Sequence, residues 1–228
     1  MTPSRDWKKA LKPGEICRGV IALLAFVLLL PRLTAFVQRI FVGDYSAAQA
    51  GIVYYLFSAG LCFLLLWGYL GREMDALLKR PGDNAVALAL ALLGAALGSG
   101  ILVLLPFPVA NPVKLDWAAE FQLSPAATVV IVVVLMPLVQ ELLFRGVVFG
   151  AVRGRNRALA YLLSALGFGL SSCWQWAVSL GDPRYFLLVL QYVPLSLAAC
   201  WCYERGGSVW SAVVLHLLYN GGMLAVLA

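Results

Sequence analysis

Seven apolar runs, each long enough to cross a lipid bilayer, constrain this chain more than any other feature. They are Ile16–Val37, Ala47–Leu70, Asn84–Val109, Pro125–Val152, Arg157–Leu180, Arg184–Tyr203 and Gly207–Ala228. A helix needs about 20 predominantly apolar residues to traverse the hydrocarbon core. Hydrocarbon offers the backbone no water, so a continuous apolar run satisfies its own N–H and C=O groups by coiling into a helix. The expected fold is an all-α, polytopic transmembrane helical bundle of about seven spans, in one membrane-embedded domain covering residues 1–228. Composition agrees, with 62% hydrophobic and 12% charged residues, where soluble domains carry about 25% charged. The first run follows a basic N-terminus, but it exceeds the 7–15 residues of a signal-peptide core and lacks a convincing A-x-A site. It reads as a retained span with a kink at Pro31.

The net charge of +6 belongs to the loops and calls for no nucleic-acid partner. With the N-terminus in the cytoplasm, Arg5, Lys8, Lys9, Lys12, Arg18, Arg72, Lys79, Arg80, Arg153, Arg155, Arg157 and Arg205 fall on inside segments. Only Arg39, Lys114 and Arg184 fall outside. That asymmetry is the positive-inside signature of a multi-pass protein, and a bacterial-type plasma membrane is the expected location. Membrane lipid is then one partner. The longest external connection, 109–124, places Trp117 and Phe121 as on an amphipathic turn lying in the interface. Trp174, Trp176, Tyr54, Tyr55 and Tyr192 read as packing or interfacial aromatics. The five cysteines (Cys17, Cys62, Cys173, Cys200 and Cys202) form neither a disulfide framework nor a zinc pattern. No cofactor and no metal are expected.

Against this apolar background, 136-MPLVQELLFRGVVFG-150 carries Gln140, Glu141 and Arg145 within six residues. Ionisable groups cost about 2.5–3.5 kcal/mol each at the centre of a spanning helix, so each demands a reason. Glu141 and Arg145 are four apart and share a face, and His216 and Asn220 repeat that spacing in the last run. At 1.5 Å per residue, Glu141 and His216 lie roughly 15 and 14 Å from the inside surface, so they can meet. Pro137, one turn before Glu141, is expected to bend its span where a cavity opens. The pattern leaves open a structural polar knot, a reactive site and a proton relay. Transport is disfavoured because no inverted repeat is present.

The phrase QELLFRGVVFG resembles the E-E-x-x-x-R motif of the CAAX prenyl protease and bacteriocin-processing (Abi) family of intramembrane endopeptidases. HLLYN, His216 to Asn220, is similar to that family's H-x-x-x-N motif. Between them, 164-SALGFGLSSCWQW-176 occupies the place of its F-x-x-x-H motif, with Phe168 aligned. The resemblance covers about residues 125–225. It implies cleavage of a membrane-proximal peptide: a prenylated C-terminus, a bacteriocin leader or a signalling precursor. It further implies that the first Glu and the second-motif His activate water, while the third-motif His and Asn stabilise the oxyanion.

Two positions depart from the pattern. Gln140 stands where the family has its first Glu, and Ser172 where it has the second-motif His. Gln accepts no proton at neutral pH, and a serine hydroxyl does not titrate there. Glu141, Arg145, His216 and Asn220 keep the oxyanion half and its scaffold. Two rescues present themselves: Glu141 as a substitute base, turned about 100° from Gln140 around the helix, or Ser172 or Cys173 as a nucleophile activated by His216. Without either, the expectation is a weakened or inactive endopeptidase, or a non-catalytic protein that binds a peptide or partner as an immunity or regulatory factor would.

Overall fold

Every apolar run folds as a helix, and the punctuation between runs is set by proline, glycine and capping side chains. The computed structural model describes residue 7, residues 10–40 and residues 47–227; Arg5, Lys8 and Lys9 of the charge asymmetry lie outside them. The long helices are α1 (Pro13–Val37), α2 (Ala47–Lys79), α3 (Pro81–Val103), α4 (Pro112–Leu123), α5 (Pro125–Arg153), α6 (Arg157–Ser179), α7 (Pro183–Gly206) and α8 (Val209–Leu227). Among the described residues there is no strand. Proline fills the first turn of α1, α3, α4, α5 and α7, where its missing N–H costs nothing. Pro106 and Pro108 stop α3 at Val103, six residues short of the apolar run, because the residue before a proline is pushed out of the helical region. Segment 109–124 forms α4, capped by Asn111, whose side chain accepts from the Val113 N–H. Gly207, at φ 87°, closes α7 and turns the chain into α8.

Six of these helices are long and apolar enough to cross a membrane. The expected span at 157–180 is a helix of 23 residues, about 35 Å long, yet its composition falls short of that test. Its polar residues face inward: Ser164 donates to the Phe144 carbonyl, and Ser171, Ser172 and Gln175 line a cavity. Glu204 on α7 meets Arg153 at the end of α5 and Arg157 at the start of α6. The start of α6 and the end of α7 therefore share one end of the bundle, and α6 runs its length like the rest.

That end is tied by carboxylates. Glu15 of α1 pairs with Arg72 of α2 at 2.6 Å, and Glu73, buried on α2, accepts the Val209 N–H at the start of α8 at 2.9 Å. Around the outside, Leu64, Trp67, Leu97 and Val103 point away from the protein and are more than half exposed, a surface that only lipid solvates without cost. Half of the apolar window of α5 is buried, against 17–22% in α1, α2 and α3, so α5 is the helix around which the others assemble.

Pro31 and Pro137 are accommodated by one device. Each follows a widened π-helical stretch by two residues, Ala25–Leu29 and Val130–Leu135. In the i→i+5 register, their N–H groups would serve the carbonyls of Phe26 and Val132, and proline has none. Tyr54 donates its hydroxyl to the Phe26 carbonyl at 2.8 Å, and Asn220 donates its amide to the Val132 carbonyl at 2.9 Å. The expected bend at Pro137 thus takes the form of a π-turn, and the cavity lies against Met136 and Gln140 beside it.

Close approach of α6 to the start of α7 depends on a residue without a side chain. A Cβ on Gly169 would lie 2.8 Å from Val189 Cγ1 and 3.2 Å from its carbonyl oxygen, whereas one on Gly100 would meet nothing within 4 Å. Gly169→Ala is expected to lower stability in detergent by about 1–3 kcal/mol. Gly100→Ala, in the interior of α3, is expected to be neutral or stabilising; thermal unfolding of the two variants checks this.

Candidate functional site

Glu141 lies at the centre of the bundle with no solvent exposure, and its carboxylate draws two helices together. Oε1 lies 2.7 Å from His216 Nδ1 on α8 and 3.0 Å from Arg145 Nη1 one turn along α5. An ionised carboxylate only accepts, so Nδ1 is the donor in this contact. Arg145 is fully buried as well. Its nitrogens lack well-aligned hydrogen-bond acceptors among the described residues, and Glu141 Oε2 lacks a donor there. The guanidinium instead lies over the Phe168 ring, 4.6 Å from its centroid, an arrangement that attracts a cation to the ring face. The His216 ring meets the same phenyl edge-on at 5.6 Å. Phe168 is thus wedged between the two partners, guanidinium and imidazole, of one carboxylate.

Beside this cluster is a cavity of about 410 Å³, the size of a small-ligand site. Gln140, Phe168, Ser172, His216 and Asn220 reach its wall; Glu141 and Arg145 do not. Successive helical residues point about 100° apart. Gln140 therefore faces the cavity while Glu141 faces the protein. The Gln140 position, held in the resembling motif by a proton-accepting carboxylate, supplies an amide to the wall.

The other candidates are committed elsewhere. Ser172 donates its hydroxyl to the Phe168 carbonyl one turn back, at 3.1 Å, an ordinary helix-internal bond. It makes no hydrogen bond to His216 among the described residues. Cys173 is buried against Leu188 and Val189, away from the cavity. Asn220, besides lining the cavity, gives one amide N–H to Val132. The structure therefore brings five of the motif positions to one wall and joins Glu141 to His216, but it does not form the serine–histidine or cysteine–histidine pair weighed above. Nor does the donor set, one imidazole nitrogen among amides, fit a catalytic metal centre, which draws three protein ligands.

Several wall residues carried no signal strong enough to single them out in the sequence. Tyr54, Tyr55 and Tyr192, read as interfacial or packing aromatics, line the cavity, as do Trp174 and Trp176. Gln175 and Gln191 also reach it; a glutamine within an apolar run was the available signal. Lys114 on α4 closes the wall from a segment that reads as an interfacial connection.

Residues 122–222 match the family described as Type II CAAX prenyl endopeptidase Rce1-like. The match spans α5, α6, α7 and most of α8, and so includes α5, α6 and α8, the three helices that hold every motif residue. No curated protein and no solved structure gives a match to this chain.

The buried pair has a measurable consequence. Arg145→Met leaves the Glu141 carboxylate without its fixed positive neighbour and is expected to cost about 3–5 kcal/mol. Adding Glu141→Gln to that variant is expected to recover much of the loss. A double-mutant cycle in detergent, read by thermal or chemical unfolding, gives the coupling directly.

Proposed function

We infer, for a chain that belongs over residues 122–222 to the Type II CAAX prenyl endopeptidase Rce1-like family, that its cavity binds a membrane-embedded peptide without cleaving it at an enzyme's rate. The observation that carries this reading is the arrangement on α5: an amide, Gln140, lines the cavity, and the neighbouring carboxylate, Glu141, is sealed behind the wall. Hydrolysis of a peptide bond needs a group that takes a proton from the attacking water and donors aimed at the developing oxyanion. Gln140 takes no proton, and the Ser172 hydroxyl is bonded to its own helix. What remains is suited to holding a peptide. Aromatic walls accept apolar side chains, and amides from Gln140, Gln175, Gln191 and Asn220 meet peptide groups.

A second reading rests on one distance. With Glu141 Oε1 2.7 Å from Nδ1, His216 is an oriented imidazole whose Nε2 can serve as base toward a bound water, giving slow hydrolysis without the family's first Glu. In either case the protein is an integral, multi-pass membrane protein. The reading places the Arg72, Arg153, Arg157 and Arg205 end in the cytoplasm. The cavity, lined by the first halves of α2 and α7, the second half of α6 and the middle of α8, then lies toward the opposite face.

The test is cleavage in proteoliposomes of prenylated and leader-type peptides. The unaltered chain is expected to bind them and release no product, while Gln140→Glu combined with Ser172→His is expected to cleave. Cleavage by the unaltered chain that His216→Ala abolishes selects the second reading. Failure of both forms to bind any peptide refutes the first.

A further inference from the structure

The cavity has an unusual charge balance. Among the described residues its wall contains no Asp, Glu or Arg, and a single lysine, Lys114. Gln140 contributes to this, because the position that would bring a carboxylate into the wall brings a neutral amide. Lys114 is half-buried on the first turn of α4, and among the described residues it has neither an ion pair nor a hydrogen-bond acceptor. Burial alone holds its ammonium below the ordinary lysine range, with no carboxylate to offset the loss of water. Asp116, the acid nearest to Lys114 in sequence, does not line the cavity and is exposed.

The surrounding donors are arranged to help. The Asn111 side chain donates to Gln191 Oε1 at 2.9 Å and to the Tyr192 hydroxyl at 3.3 Å. With its oxygen so engaged, Gln191 presents its NH₂ group, which has no acceptor among the described residues, to the same wall. A lysine and a carboxamide donor in an aromatic-walled cavity without acids form a receptor for one negative charge on an apolar body. A single lysine matches a monoanion; no arginine fork or second cation is present for a phosphate dianion.

Resting on the peptide-binding reading above, we propose that Lys114 anchors the free C-terminal carboxylate of the bound peptide, so that the cavity selects chain ends over internal segments. Lys114 lies before residue 122, outside the family match. The selectivity is therefore contributed by this chain's own α4 and not by the motif helices.

The experiment uses the full chain in lipid nanodiscs and three probes: a dansylated S-farnesyl tetrapeptide with a free C-terminus, the same peptide as its C-terminal amide, and farnesyl monophosphate. Binding is followed by energy transfer from tryptophan for the peptides, and by competition for the phosphate. The acid is expected to bind at least tenfold more tightly than the amide. Lys114→Gln is expected to weaken the acid to the level of the amide and leave the amide unchanged, while Lys114→Arg retains the preference. Equal binding of acid and amide by the unaltered chain overturns the anchor and leaves peptide binding standing. Loss of both peptides in Lys114→Gln overturns it too, as a general packing effect. Tight binding of the phosphate with no binding of either peptide overturns the anchor and the peptide reading together.

Discussion

One carboxylate oxygen, Glu141 Oε1, is the point on which this bundle turns. It sits where no water reaches, bonded to His216 on α8 and beside Arg145 on its own helix. A buried charge is tolerated only when paired, so α5 and α8 must come together at that depth. Their approach fixes where Phe168 fits between the guanidinium and the imidazole, and with it the position of α6. The three helices that hold the motif residues, α5, α6 and α8, are therefore arranged around a single electrostatic requirement.

The same absence of water explains the two prolines. A carbonyl released by a proline N–H that does not exist has no solvent to turn to in hydrocarbon, and each finds a side chain instead, Tyr54 for Phe26 and Asn220 for Val132. Asn220 thus has a structural duty whatever its chemical one. Its amide holds α8 to the widened turn of α5, beside which the cavity lies. Removing it disturbs the shape of the cavity as well as its donors, so loss of function in an Asn220 variant would not identify a chemical role by itself.

The peptide-binding reading rests on which way two adjacent residues point. Gln140 and Glu141 differ by an ionisable group and by about 100° of helix rotation. The rotation seals the ionisable one away from the cavity. Under the proposed anchor, a wall with no acid and a lysine with no ion pair among the described residues suits an anionic ligand, the opposite of the field that a water-activating carboxylate would create.

Much of this was legible in the chain before folding. Apolar runs of bilayer length dictate spanning helices because an unpaired backbone cannot stay in hydrocarbon, and a carboxylate or imidazole inside such a run marks the interior of the bundle for the same reason. The pairing of Glu141 with His216 follows from equal depth, a quantity that sequence spacing supplies. The polar character of α6 obscured its passage through the bundle, since residues turned toward a cavity lower the hydropathy of the helix that lines it. What the tertiary structure alone decided is orientation about the helix axes and the meeting of distant segments. It turned Gln140 to the cavity and Glu141 away, gave the Ser172 proton to its own helix, and brought the tyrosines of α2, the tryptophans of α6 and Lys114 of α4 to one wall. A linear sequence fixes periodicity and depth through local geometry, but the rotational phase of each helix is set by packing against neighbours far away in the chain.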